Sequence, residues 1–527
     1  MAVFSSRQPD VAERDISITE FLFEGLDARP DDVAVIDGPS GAEMTAAQLK
    51  DRIQRLAGGL TEAGLAPGRV IAILAPNMPD YVTAFHGIAW AGSTVTTLNP
   101  TYTAPEIAHQ LKDAGAQALI TIPALADLAR AGMEGTECAE LILMGDPPEV
   151  VPEGARRFED LLGAPMPAQH PVDLDLFVLV LPYSSGTTGR PKGVMLSHRN
   201  LVVNTEQLRA PNALEPGETV IAFLPFFHIY GMTVLMNFFL VERGRLVTMP
   251  RFDLEAFLGL IQTHKATRLF IVPPVALALA KHPMVAEYDL SSVKEIFSGA
   301  APLSPEIEEA IEARMPTTRM VQGYGMTEMS PVSHSTWFDT KRRGASGTLV
   351  PGTECRIVAP ETGEDCAPGV EGELWVRGPQ VMLGYLGNAE ATAETLLPDG
   401  WLRTGDLAEV DADGFLFLRD RLKELIKYKG FQVAPAEVEA ALIAHEAVVD
   451  AAVIARPDDE AGEVPIAFVV PAPGVEVTQD MLQAHVDSCL ARYKHPAEFR
   501  MVEAVPKSAS GKILRRILRD QVRAEVG

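Results

Sequence analysis

The chain has 527 residues, of which 47% are apolar and 22% charged, and 71 acidic against 45 basic residues give a formal charge of −26. This length exceeds what one hydrophobic core usually supports, so two or more domains of ordinary globular composition are expected. The negative charge disfavours nucleic acid and anionic membranes as partners.

Cysteines and apolar runs indicate a cytoplasmic location. The four cysteines are far apart and form no C-x-x-C pair, which argues against a disulfide framework and a zinc site; they are Cys138, Cys355, Cys366 and Cys489. The N-terminus lacks the basic-then-apolar pattern of a signal peptide. The most apolar run, residues 229–241, is too short to span a bilayer and predicts a buried helix.

The first half of the chain alternates between helical and strand patterns. Helical spacing of apolar residues occurs at 45–65, 80–91, 104–114 and 232–241, and strand-like runs occur at 70–74, 93–98, 118–122, 220–224 and 245–249. This alternation predicts parallel sheets covered by helices.

The second half is organised differently. After about residue 340, short strands broken by glycine at 372–378 and 414–418 predict a small β subdomain. From Pro435 onward a mixed α+β pattern continues to the C-terminus, long enough for a separate small domain.

The stretch Tyr183-Ser-Ser-Gly-Thr-Thr-Gly-Arg-Pro-Lys-Gly-Val194 combines hydroxyl donors, glycines and a lysine. Such residues suit a polyphosphate, because glycine lets backbone N–H groups approach an anion closely. The apolar runs 176–181 and 193–197 predict a buried strand and a hairpin around this loop. It is not a Walker A loop, and the alternative is a polar turn without ligand.

This loop resembles the phosphate-binding signature of the adenylate-forming superfamily, which includes acyl- and aryl-CoA ligases, luciferases and peptide-synthetase adenylation domains. The resemblance implies an α/β fold: a large N-terminal domain of two helix-covered mixed sheets with a small β subdomain, followed by a small mobile α+β C-terminal lid domain. It implies boundaries of 1–418 (β subdomain about 340–418), a hinge at 419–423 and the lid at 424–527. The implied phosphate-binding residues are Ser184, Ser185, Gly186, Thr187, Thr188 and Lys192.

A second segment reads Gln322-Gly-Tyr-Gly-Met-Thr-Glu328. A Rossmann fingerprint would need glycine where Glu328 stands, and a simple turn is the alternative. Glu328 offers the hard oxygen that Mg²⁺ prefers. By resemblance Gln322, Gly323 and Tyr324 contact adenine, Thr327 contacts the α-phosphate, and Glu328 binds the metal.

Three later motifs follow in the order of the superfamily: Thr404-Gly-Asp406, the basic run 419–432 and the loop 506–512. The alternatives are a capped turn for the first and a basic edge strand for the second. The resemblance assigns Asp406 and Arg421 to ribose, Lys423 to the pivot, and Lys512 to adenylation. It assigns the remaining cofactor contacts and the thioester step to Lys427, Lys429, Gly430, Gln432 and Arg251.

His228 lies in an apolar segment, where a lone histidine is usually a hydrogen-bonded core residue. A carboxylate substrate is already ionised at pH 7, so His228 is interpreted as a gate or orienting group near the acid and not as a base. By resemblance the acyl pocket is lined by Tyr230, Val234, Phe297, Ala300, Gly323, Val332 and Ser333. Ala300 and Gly323 leave room for a flat ring, and Tyr230 offers an aromatic face.

The resemblance implies ATP-dependent ligation of a carboxylic acid to coenzyme A through an acyl-adenylate, with Mg²⁺. It is greatest to the 4-coumarate:CoA ligases, which implies a hydroxycinnamate. Those enzymes usually have an apolar residue where this chain has Ser333-His334, so a medium-chain fatty acid or another aryl acid remains the alternative. A luciferase-like oxygenase and a carrier-loading enzyme are further alternatives.

Overall fold

The structure, a computed structural model, describes residues 3–12, 14–145, 151–184, 191–209, 211–337, 340–429, 431–458, 460–508 and 511–526. Within these residues no helix has the length and apolar character needed to cross a membrane.

Regular elements cover most of the chain. The helices are α1 Ile18–Asp27, α2 Ala46–Glu62, α3 Pro79–Trp90, α4 Ala104–Ala114, α5 Ala126–Met133, α6 His198–Arg209, α7 Phe238–Val241, α8 Leu254–His264, α9 Pro273–Lys281, α10 Pro305–Arg314, α11 Ala389–Thr395, α12 Pro435–Ala444, α13 Gln479–Cys489 and α14 Arg515–Val526.

The strands to Ser335 are β1 Phe4–Ser5, β2 Val33–Asp37, β3 Glu43–Thr45, β4 Val70–Leu74, β5 Thr94–Leu98, β6 Ala118–Thr121, β7 Glu140–Leu143, β8 Ala155–Arg157, β9 Val178–Ser184, β10 Lys192–Ser197, β11 Thr219–Ala222, β12 Arg245–Thr248, β13 Arg268–Ile271, β14 Glu295–Ser298, β15 Arg319–Gly325 and β16 Val332–Ser335. The later strands are β17 Thr348–Leu349, β18 Glu354–Val358, β19 Gly372–Arg377, β20 Gly384–Tyr385, β21 Leu402–Val410, β22 Leu416–Arg421, β23 Ile426–Tyr428, β24 Phe431–Val433, β25 Val448–Asp458, β26 Gly462–Pro471 and β27 Glu498–Met501.

Two large mixed sheets form the first part of the fold, as predicted. One has the order β20-β10-β9-β5-β4-β6-β7-β8 and the other β17-β16-β15-β14-β13-β11-β12-β2-β3, with parallel pairing in the middle of each. Both faces of a parallel sheet must be covered, which explains the nearly continuous burial along β4 and β5 and the nearly complete burial of α3.

The predicted β subdomain and C-terminal domain are also present. Strands β1-β18-β19-β21-β22 form an antiparallel sheet, and β24-β23-β26-β25 with β27 form the sheet of the C-terminal domain, called the lid below. Strand β22 continues to Arg421, which pairs with Asp406 of β21, so the expected hinge begins within a strand. The exact domain boundaries stay a prediction.

One local prediction needs correction. Leu176 is not part of a buried strand: its side chain is 71% exposed, because the Asp173 carboxylate accepts the N–H groups of Asp175 and Leu176 and holds a turn before β9. The buried helix expected at 229–241 is confirmed, and it consists of a π-helix, Tyr230–Asn237, followed by the single turn of α7. Such wide turns often occur at functional sites.

Candidate active site

The hairpin of β9 and β10 pairs Ser184 with Lys192, the described residues on either side of the predicted phosphate loop. Ser184, the last residue of β9, donates from Oγ to Glu328 Oε1 at 3.0 Å. Lys192, the first residue of β10, holds its ammonium 4.8 Å from the ring centre of Tyr385. Ser185, Gly186, Thr187 and Thr188 lie outside the described residues, so their roles stay predictions.

Glu328 is a buried carboxylate in the short turn that follows β15. Its Oε1 accepts two hydrogen bonds, from Ser184 Oγ and from the Tyr385 hydroxyl at 2.8 Å, and Thr327 is buried beside it. Sequence reasoning missed Tyr385, because no pattern distinguishes its short strand β20 from a loop. Tyr385 links the phosphate-loop lysine to the expected metal ligand.

Gln322 and Tyr324 are on β15, and both side chains have protein partners. The Gln322 amide bonds both backbone groups of Leu303 and the carboxylate of Glu308. The Tyr324 hydroxyl donates to Asp406 Oδ2 at 2.6 Å. Burial, together with the neighbouring Asp406 carboxylate, raises the pKa of Tyr324 well above its usual value. Tyr324 therefore orients the carboxylate that is expected to bind ribose.

Asp406 and Arg421 form an ion pair between neighbouring strands. Arg421 Nε lies 3.1 Å from Asp406 Oδ1, and the pKa of the guanidinium is raised, chiefly by this carboxylate. The pair brings a fixed negative and a fixed positive group to the place where β22 leads into the lid.

Lys512, on the lid, belongs to the same cluster of charges as Arg421, Asp406 and Glu328. Burial lowers the pKa of its ammonium to about 8, helped by the positive charge of Arg421 and opposed by the carboxylates of Asp406 and Glu328. Gly511 lies against the large domain so closely that an added Cβ would be 2.9 Å from Val272 Cγ2. The structure therefore has the Lys512 loop inserted into the site.

His228 faces Lys512 from the large domain. Burial, together with the Lys512 charge, lowers the pKa of its imidazole to about 3, so the ring is neutral. Its Nδ1 accepts the N–H of Tyr230 at 3.3 Å, which leaves the proton on Nε2. A neutral ring with one fixed donor agrees with the interpretation of His228 as an orienting group.

The predicted acyl-pocket residues are on the π-helix, on β14 to β16 and in the turn after β14. Tyr230 and Val234 are buried, and the Tyr230 hydroxyl faces the carbonyls of Ile271 and Phe297 at 3.4 and 3.5 Å. Ala300 has a left-handed backbone (φ 72°), which is strained for a residue with a Cβ.

One expectation about this pocket is wrong. The space beside Gly323 is not open to a ring, because an added Cβ would lie 2.2 Å from the tip of the Phe297 ring. Val332 is held at both backbone groups by Asn204. Ser333 is buried, with its hydroxyl 3.0 Å from His334 Nδ1, so the wall has a polar pair.

The remaining predicted residues that the structure describes are exposed. Lys427 and Gln432 are exposed and directly opposite each other in the β23–β24 hairpin of the lid, while the Lys429 ammonium pairs with Glu460 at 3.0 Å. Lys423 is exposed in the turn after β22, and Arg251 is exposed beyond β12. Gly430 lies outside the described residues.

Comparisons with known proteins agree with this arrangement. A model of the AMP-binding enzyme family matches residues 22–386, and one of the AMP-binding enzyme C-terminal domain matches residues 437–512. The chain is 40% identical to 4-coumarate–CoA ligase 5 of Oryza sativa subsp. japonica and to 4-coumarate–CoA ligase 2 of Petroselinum crispum. These alignments cover 99% of this chain and 98% and 97% of those proteins.

Solved structures are similar over nearly the whole length. ATP-bound MatB from Rhodopseudomonas palustris superposes with a TM-score of 0.87 at 29% identity, covering 96% of this chain and 99% of that one. The anthranilate CoA ligase AuaEII in complex with anthranoyl-AMP gives a TM-score of 0.88 at 26% identity, covering 98% of each chain.

Proposed function

The chain belongs to the AMP-binding enzyme family, and on that premise we propose that it is an AMP-forming acid–thiol ligase that joins a carboxylic acid to coenzyme A. ATP first converts the acid into an acyl-adenylate with release of pyrophosphate, and the thiol of coenzyme A then displaces AMP. The observation that carries the proposal is the convergence of Lys512, Asp406, Arg421, Glu328 and His228 on one site.

The first step brings together two anions, the carboxylate and the α-phosphate. Cations fixed in place before the reaction lower its barrier, because they stabilise the charge of the transition state without reorganising. Lys512 supplies such a charge from the lid, and Lys192 supplies one at the phosphate loop. Asp406, held by Tyr324 and Arg421, is oriented to accept the ribose hydroxyls.

Glu328 fits a magnesium ion that accompanies ATP. Among the described residues no group of three or more His, Cys, Asp or Glu side chains forms a metal site, but Mg²⁺ at ATP sites needs only one or two carboxylates plus phosphates. Ser184 and Tyr385 fix the Glu328 carboxylate for this role. When bound, Mg²⁺ supplies positive charge against the phosphates.

We propose a hydroxycinnamate such as 4-coumarate as the acid, in agreement with the names of the curated relatives. Aromatic side chains line the pocket, and the Ser333–His334 pair gives one wall a polar group that suits a phenol. A medium-chain fatty acid has no polar group at its far end to bond with this pair, whose His334 Nε2 lacks a hydrogen-bond partner among the described residues. We also propose a cytoplasmic location.

A panel of acids tests this function. Pyrophosphate release is expected with 4-coumarate and ATP, and thioester formation only when coenzyme A is added. 4-Coumarate is expected to exceed both unsubstituted cinnamate and octanoate by about tenfold in kcat/KM, the effect of one hydrogen bond to a buried group.

The matched variant for this panel is Ser333→Ala, which removes the hydroxyl and keeps the fold of β16. It is expected to reduce the ratio of 4-coumarate to cinnamate while cinnamate itself is little affected. Pyrophosphate release without a coenzyme A-dependent thioester would contradict the ligase assignment, and preference for octanoate would contradict the hydroxycinnamate assignment.

Tyr385→Phe tests the support of Glu328. The change removes the hydroxyl that holds the carboxylate but keeps the ring beside Lys192. We expect kcat/KM for pyrophosphate release to fall about tenfold, with saturation at a higher Mg²⁺ concentration. Tyr183→Phe, which removes a hydroxyl bonded to Asp113, is the control and should leave the Mg²⁺ dependence unchanged. An unchanged Mg²⁺ titration for Tyr385→Phe would refute the role.

A further inference from the structure

Helix α9 of the large domain touches the lid at both of its ends. At its beginning, an added Cβ on Gly511 would lie 2.9 Å from Val272 Cγ2 and 3.7 Å from Pro274 Cδ. At its end, the Lys281 ammonium donates to the backbone carbonyls of Ile443 at 2.9 Å and Val448 at 3.3 Å. The first contact adjoins Lys512, and the second is on a different element of the lid.

The Lys281 contact satisfies the end of helix α12. The last carbonyls of a helix lack partners within it, and a cation there also complements the helix dipole. Ala441 O is bonded by His485 and Leu442 O by the His445 N–H, both from the lid itself. Ile443 O is bonded across the domain boundary by Lys281.

The opposite end of α12 is held by the strand that leads into the lid. Asp420, on β22, accepts the N–H of Ala436 at 2.7 Å, so a carboxylate lies at the positive end of the helix dipole. Asp420 precedes the expected pivot Lys423, whereas Ala436 follows it. Opposite charges from outside the lid therefore bind the two ends of α12, Asp420 at its N-terminus and Lys281 at its C-terminus.

Apolar packing adds to the Lys281 contact. The Ile443 side chain packs against buried residues of the large domain and, at the same time, against the core of the lid. Lys281 is itself an exposed residue, and partial burial of its ammonium at this junction lowers its pKa. A hydrogen bond with a charged donor is stronger than one between neutral groups.

Helix α12 is joined rigidly to the loop that carries Lys512. Arg515, three residues after Lys512, donates to both carboxylate oxygens of Glu439 on α12 at 2.7 and 2.8 Å. Glu439 is buried and also accepts the N–H of Val453. A contact that restrains α12 therefore also restrains the segment that carries Lys512, through the ion pair between Arg515 and Glu439.

We propose that Lys281 is a positioning residue, a latch that holds the lid in the orientation with Lys512 in the site and so favours adenylate formation over thioester formation. This inference rests on the proposed two-step ligase function. Among the described residues Lys281 bonds to Ile443 and Val448, which belong neither to the site cluster nor to the hairpin of Lys427, so its effect passes through lid orientation.

Lys281→Met keeps the length of the side chain and removes its charge. We expect the rate of adenylate formation, measured as pyrophosphate release with ATP and 4-coumarate before addition of coenzyme A, to fall about fivefold to tenfold. The KM for ATP should change less than kcat, because no site contact is lost. Thioester formation from supplied 4-coumaroyl-adenylate and coenzyme A should be unchanged or faster.

Lys281→Arg keeps the charge and is expected to restore adenylate formation. Lys265→Met, which removes the charge of an exposed large-domain lysine paired with Asp289, is the matched control and should affect neither half-reaction. The latch is refuted if Lys281→Met leaves both half-reactions at the wild-type rate, or slows both equally. If the wild-type protein itself forms no adenylate with any acid of the panel, the ligase assignment fails instead.

Discussion

Replacing Lys512 with alanine is expected to slow acyl-adenylate formation about 10²–10³-fold, the usual cost of removing one preorganised charge from a transition state. The structure places this ammonium in one electrostatic cluster with Asp406, Glu328, Arg421 and His228. The rate of pyrophosphate release, measured with ATP and the preferred acid for the wild type and the variant, tests this expectation.

Thioester formation from a supplied acyl-adenylate is the internal control for Lys512→Ala, because that step does not require a cation at the α-phosphate. It should proceed within about twofold of the wild-type rate, since only the adenylating contact is removed. Loss of both half-reactions would mean that the variant acts through folding or lid docking rather than through the charge of Lys512.

The pH dependence of the wild-type protein should carry the signature of the same lysine. The pKa of Lys512 is lowered to about 8, so the ammonium that the first step needs is present below pH 8 and is lost as the pH rises through that value. The pH profile of kcat/KM for adenylate formation should therefore decline with an apparent pKa near 8. Lys512→Ala should lack this basic limb.

Lys427→Ala is expected to have the opposite effect, slowing thioester formation about 10²–10³-fold and leaving adenylate formation intact. Lys427 is exposed on the β23–β24 hairpin opposite Gln432, away from the cluster around Lys512. A lid that rotates about the turn at Lys423 would remove Lys512 from the site and bring Lys427 into it. Single-turnover assays with supplied acyl-adenylate and coenzyme A measure this step.

The control for Lys427→Ala is Arg523→Ala, which removes an exposed positive charge from α14 of the same lid and should affect neither half-reaction. If Lys427→Ala and Lys512→Ala impair the same half-reaction, one lid does not serve both steps with different faces.

Most secondary-structure elements could be predicted, because buried strands are continuous apolar runs and surface helices repeat every three to four residues. The runs at 70–74 and 104–114 match β4 and α4 without change. Leu176 shows the limit: its apolar run looks like part of β9, but the side chain of Asp173 bonds the backbone in a turn, and the strand begins only at Val178.

The family resemblance, the order of the motifs and the residue types of the site can all be read from the sequence, because these depend on local chemistry along the chain. Which of those residues meet depends on the tertiary structure. In the folded chain Lys512 lies near Asp406, whereas Lys427 lies outside the site. Phe297 occupies the space beside Gly323, and Tyr385 and Lys281 add contacts that the sequence did not predict. Such contacts depend on strand register and on how the lid packs, and neither is encoded in the spacing of residues along one segment.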